Sequence, residues 1–104
     1  MKNEPLRREQ IEDALRTVFD PEIPVNIFDL GLVYQININE DQDVQVYMTL
    51  TAPACPAAGQ ILQDAEDRIK AVPGVNRAEV RLTFDPPWDR SMMSDEARLE
   101  LGLL

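Results

Sequence analysis

Histidine does not occur in these 104 residues, and cysteine occurs once, as Cys55. Without histidine there is no Ser-His-Asp or Cys-His nucleophile pair and no histidine-ligated zinc or haem. One thiol allows no internal disulfide, no C-x-x-C redox pair and no four-thiolate cage. Positive charge is also short: 10 basic residues stand against 19 acidic ones, and the net charge is -9. The acids are spread along the chain, which argues against electrostatic binding to nucleic acid or to an anionic membrane. No run of about 18 apolar residues occurs, and the first residues, Met1 to Pro5, hold no apolar segment of the signal-peptide kind. The expectation is a soluble, cytoplasmic protein without catalytic machinery.

What is present is an ordinary globular composition, 44% hydrophobic and 28% charged. That is enough for one modest core, and the length suits one domain over 1–104. Ile11, Ala14, Leu15 and Val18 recur at helical spacing and predict a first helix over 6–19, ended by Asp20-Pro21. The stretch from Asp20 to Gly31 has two prolines yet five large apolar residues, and reads as a packed loop. Leu32, Tyr34, Ile36 and Ile38, then Val44, Val46, Met48 and Leu50, alternate with other residues as in two half-buried strands. The polar run 39–43 joins them as a hairpin. A second helical stripe follows, made of Ala58, Ile61, Leu62, Ala65, Ile69 and Val72, and Pro73-Gly74 ends it. Ala78, Val80, Leu82 and Phe84 mark a third strand, Asp85-Pro86-Pro87-Trp88-Asp89 a rigid corner, and Ser94-Asp95-Glu96 the capped start of a last helix. The order helix, strand, strand, helix, strand, helix predicts a two-layer α/β (α+β) sandwich on a small mixed three-stranded sheet.

Topology then places the irregular segments together. Pairing Ile38 with Val44 puts Tyr34 near Met48 and Leu32 near Leu50, so Gly31 and Thr51 become neighbours. A right-handed crossover through the second helix makes the third strand parallel to the second. Its exit at Phe84-Asp85 then lies at that same end. The loops 20–31 and 51–56 and the corner 85–89 therefore converge on one edge, where loops at strand ends usually carry function.

Cys55 directly precedes Pro56, a residue favoured at the first helical position, and so reads as the N-cap of the second helix. Unpaired amides there favour thiolate over thiol, which makes a reactive or metal-binding sulfur. The competing reading is a small buried filler. Asp20 and Glu22 bring carboxylates to the same edge and are candidate hard ligands beside the sulfur, or only shape the proline turn. Asp29 reads as structural, and Gly31 as a site of positive φ or close backbone approach. Trp88 is either a partner anchor or a lid over the core.

Three ordered runs carry a resemblance: Asp20-Pro21-Glu22-Ile23-Pro24-Val25-Asn26-Ile27-Phe28-Asp29-Leu30-Gly31-Leu32-Val33-Tyr34, then Met48-Thr49-Leu50-Thr51-Ala52-Pro53-Ala54-Cys55-Pro56, then Asp85-Pro86-Pro87-Trp88 with Met93-Ser94-Asp95-Glu96-Ala97-Arg98. Together they resemble the SufT/PaaD-like iron-sulfur cluster assembly family over nearly the whole chain. The resemblance implies a non-catalytic accessory factor in cluster maturation, on a small and often dimeric α/β fold. It also implies that Cys55 is the functional thiol and that Asp20 and Glu22 belong to the signature loop. With no second cysteine before Leu104 and no P-loop, the stand-alone SufT-like type is expected rather than the PaaD type or a form fused to an ATP-dependent carrier. A cluster normally takes four thiolates, so one thiol implies iron or a labile cluster shared between subunits or with a partner. The expected partners are assembly proteins, apo-client proteins and a second copy in a homodimer. A second reading makes the chain a protein-binding adaptor of that machinery, docking through Trp88 with a structural Cys55.

Overall fold

A computed structural model describes residues 6–19, 23–51 and 58–102. The elements run α1 (Arg8–Leu15), β1 (Val33–Ile38), β2 (Asp43–Met48), α2 (Ala58–Lys70), β3 (Arg77–Leu82), a single 3-10 turn (Arg90–Met92) and α3 (Asp95–Glu100). This is the expected order. The 3-10 turn is additional, held by Asp89, whose Oδ2 accepts from the Ser91 amide at 3.0 Å and from its hydroxyl at 2.6 Å.

The sheet order is β1-β2-β3, antiparallel then parallel, with β2 central. Ile38 pairs with Val44 and Ile36 with Val46, as the alternation requires. Val44 stands beside Ala78, Val46 beside Val80 and Met48 beside Leu82, so the crossover through α2 does return the chain parallel to β2. Ile61, Ala65 and Ile69 from α2 join Ile11 and Leu15 from α1 and Val44, Val46 and Met48 from β2 in one buried cluster. Both helices therefore cover one face of the sheet. On the other face Gln35, Asn37, Glu79 and Arg81 are exposed.

Two expectations are corrected. The first helix is shorter than 6–19 because its last turn tightens: Thr17 and Val18 donate to Ala14 and Leu15, three residues back, and the Thr17 hydroxyl also donates to the Ala14 carbonyl. Val18 stays in the core beyond the helix, and Phe19 bridges to Asn26. The second correction concerns register. Val33, not Tyr34, faces Met48, and the register shifts between Val33 and Gln35, leaving Tyr34 as the extra residue of a β-bulge. Leu32 consequently accepts the amide of Thr49, one position short of Leu50.

The expected turn at Pro73-Gly74 is present, with Gly74 at φ 97°. Ser94 caps α3 as expected, its hydroxyl accepting from the Ala97 amide at 3.1 Å.

Candidate functional site at the bulged end of the sheet

At the end of the sheet where β1 begins and β2 stops, Met48, Thr49 and Leu50 are all buried. Successive residues of an extended chain point to opposite faces, so both faces of the sheet are covered here. The covering on the second face is the segment 85–94. Tyr34, turned out of the alternation by the bulge, donates its hydroxyl to the Pro86 carbonyl at 2.8 Å and lies 3.6 Å from the Met92 sulfur. Burial raises its phenol above the ordinary range. The Trp88 indole N–H donates to the Leu30 carbonyl at 2.8 Å, and the Ser94 amide to the Asp29 carbonyl at 2.8 Å. The corner is thereby fastened at three points, once to the bulge of β1 and twice to the loop.

The loop itself is fixed by short-range bonds. Asn26 and Asp29 embrace each other, the Asn26 amide donating to Asp29 Oδ2 and the Asp29 amide to Asn26 Oδ1, both at 2.8 Å. Arg16 reaches in from the end of α1, its guanidinium 4.6 Å from the Phe28 ring centre and 4.0 Å from Asp29 Oδ1. Asp29 is therefore a structural carboxylate, as its place beside the Gly31 bend suggests. Gly31 meets both expectations made of it. Its φ is 82°, and a Cβ there would lie 2.2 Å from the Met92 carbonyl oxygen. Only a residue without a side chain lets the corner sit this close to the loop.

The third irregular segment leaves from this end too, because Thr51 follows Thr49, which is bonded to Leu32. Cys55, Asp20 and Glu22 lie outside the described residues, as does the N-cap reading of Cys55. Among the described residues no three acidic, cysteine or histidine side chains gather closely enough to hold a metal ion. Trp88 is half-buried against the core, and its N–H fastens the corner to the loop. Sequence reasoning missed Tyr34, which strict alternation assigned to the core face. It also missed the buried Thr49 hydroxyl, which finds no hydrogen-bond partner among the described residues. A groove of about 640 Å³ runs along the outer face beside the corner, lined by Tyr34, Tyr47, Thr83, Asp85, Pro86 and Met92.

Comparison with known proteins decides the kind of molecule. The family model described as "iron-sulfur cluster assembly protein" matches residues 8–82. The chain belongs to this iron-sulfur cluster assembly family. Within the family it is 52% identical to a Fe-S protein maturation auxiliary factor of Porphyromonas gingivalis, over the full length of both chains. It is 37% identical to the auxiliary factor SufT of Staphylococcus aureus, over 83% of this chain and 98% of that one. These relatives bear out the SufT-like assignment and the assembly role drawn from the sequence motifs. A conserved hypothetical protein of Thermotoga maritima has the same fold, with a TM-score of 0.83 and 46% identity over 97% of this chain and 99% of that one. A longer relative, an iron-sulfur cluster carrier protein of Synechocystis, is 32% identical over 84% of this chain, a match spanning 24% of the carrier. No described helix is long and apolar enough to cross a membrane.

Proposed function

We propose that this assembly-family chain is a non-catalytic, cytoplasmic maturation factor that uses Cys55 to hold iron or a labile iron-sulfur cluster briefly and pass it to apo-client proteins. The observation that supports this best is the fastening of the 23–31 loop to the 85–94 corner at the end of the sheet from which the chain leaves Thr51 toward Cys55. Positioning groups on a rigid frame is what a donor site needs if its ligand set is completed by another molecule. The cluster is cargo in this reading. One thiolate leaves most of its iron sites to be filled by a second copy, a partner protein or a small thiol. That shortage favours release over retention. Asp20 and Glu22 are the proposed oxygen ligands next to the sulfur, suited to the harder iron. The exposed part of Trp88 is a proposed contact for the assembly machinery.

Anaerobic reconstitution with iron and sulfide, read by visible absorbance and by transfer to an apo-ferredoxin, tests the thiol. Wild type should gain a chromophore and transfer it, and Cys55→Ser should lose both. Equal behaviour of the two proteins removes Cys55 from the ligand set.

A further inference from the structure

The outer edge of β3 pairs with no further strand among the described residues. Thr83 turns its N–H to the Met48 carbonyl. Backbone direction alternates along a strand, so Arg77, Glu79 and Arg81 bond β2 while Ala78, Val80 and Leu82 turn their N–H and C=O groups outward. None of these three has a backbone partner on that side among the described residues. Natural edges are usually blunted by proline, a bulge or charged side chains; β3 does carry charges, but of both signs, so they can pair with those of a copy as well as repel. The strand Arg77–Leu82 contains no proline, and its register against β2 runs unbroken from Arg77 to Leu82. At its end Leu82 and Phe84 are 38% and 41% exposed, two of the four large apolar side chains the described surface leaves open.

The charges choose the occupant. β3 carries Arg77, Glu79 and Arg81 on one face, with Arg81 3.1 Å from Glu79 along the strand, so both signs of charge stand ready on it. An antiparallel copy centred on Val80 places Val80 beside its own equivalent and Ala78 beside Leu82. The outward groups then form doubly bonded pairs. In the same register Glu79 faces Arg81 of the copy, and Arg81 faces Glu79, at the close non-bonded positions where cross-strand side chains interact most. Sliding the copy so that Glu79 centres the pairing would set Glu79 against Glu79 and Arg77 against Arg81, which repels. Gln45 and Arg81 beside Glu79 hold its carboxyl below the usual carboxylate range, so both partners keep their charge over a wide pH span.

We propose that β3 pairs antiparallel with β3 of a second copy, centred on Val80, joining two three-stranded sheets into one of six strands. This does not rest on metal binding. A chain that never held iron would pair in the same way.

Sedimentation velocity from about 1 μM to about 1 mM chain at physiological salt tests it, since edge pairing with little side-chain burial belongs in the weak range. Dimer should accumulate with concentration. Over the same range, amide exchange at Ala78, Val80 and Leu82 should slow, while exposed amides elsewhere do not change. Glu79→Arg and Arg81→Glu each set like charges opposite one another at two symmetric places, and each should weaken the dimer roughly tenfold or more. Together they should restore it, because the pairs are complementary again. Val80→Pro removes an outward N–H that β2 does not use, and should give monomer. If that variant fails to fold, the charge exchange still decides. A monomer throughout, a combined variant as weak as the single ones, or a dimer with unprotected β3 amides would overturn the proposal.

Discussion

Replacing glycine by alanine should have opposite signs at two places in this protein, and the larger effect falls at Gly31. An alanine there must hold φ near 82°, where an L residue is strained by roughly 1–2 kcal/mol. Its methyl would lie 2.2 Å from the Met92 carbonyl oxygen and 2.6 Å from the carbonyl carbon. Ordinary contact requires the Met92 backbone to retreat by about 1 Å, and overpacking of this kind costs a further 1–3 kcal/mol or so. Backbone cannot swing aside as a side-chain tip does. The retreat also pulls on the Tyr34 bonds to Pro86 and Met92. Gly31→Ala should therefore destabilise by about 2–5 kcal/mol, a large share of the 5–15 kcal/mol typical of a domain. At Gly59, in the first turn of α2, an added Cβ meets nothing within 4 Å among the described residues, and φ is not in the left-handed region. Gly59→Ala should stabilise by up to about 1 kcal/mol through helix propensity. Urea unfolding followed by far-ultraviolet circular dichroism measures both, with the midpoints moving in opposite directions at similar slopes. A loss below about 1 kcal/mol at Gly31 would mean that the corner yields freely, and would refute the claim that it is fastened rigidly to the loop.

Other perturbations follow from single groups. Trp88→Phe keeps an aromatic ring but gives up part of the indole's packing and leaves the Leu30 carbonyl without its donor, and should cost about 1–3 kcal/mol in the same unfolding assay. Thr49→Val removes a hydroxyl that is 0% exposed, has no partner within hydrogen-bond geometry among the described residues and lies by the Tyr34 phenol, whose upward shift it counters; stability should rise by up to about 1 kcal/mol, and a loss would show that the hydroxyl is bonded to Tyr34. The Ser91 hydroxyl and amide hold the Asp89 carboxyl below its ordinary value. Its stabilising contribution is thus present above the unfolded carboxylate value of about 3.9 and is lost as pH falls through the lower folded one. Asp89→Asn should flatten the acid limb of a stability-against-pH curve and leave its shape near neutrality unchanged.

The elements legible in the sequence are those whose periodicity comes from burial alone. The α2 stripe, the Ile38–Val44 register and the parallel return of β3 depend on apolar residues at fixed spacing, on a short polar turn and on crossover handedness, and all three were found as read. Tyr34 was misassigned because an aromatic at an alternating position looks like core, whereas its hydroxyl has a partner only on the other face, 52 residues along the chain. The end of α1 was overrun because Val18 is apolar at helical spacing yet packs from a tightened turn. The convergence of residues 23–31 with the 85–89 corner was legible, since it follows from topology. Its fastening was not, because the acceptors are backbone carbonyls, which leave no mark on sequence. The thiol and two carboxylates picked out by residue chemistry fall outside the described residues. Trp88, chosen as an anchor or a lid, turned out to be tied down through its N–H.

The central place of β2 also orders the assembly of the fold in time. Its antiparallel neighbour begins pairing across residues six apart, Ile38 with Val44, whereas its parallel neighbour must be brought in from 34 residues away, Asp43 with Arg77. Closing the longer loop costs roughly 1.5 kcal/mol more in chain entropy, before α2 has any surface to settle on. On chain entropy alone the hairpin is expected to form first, with β3 and α2 docking onto it afterwards. The strand that joins last is also one of the two whose far side carries no further strand among the described residues.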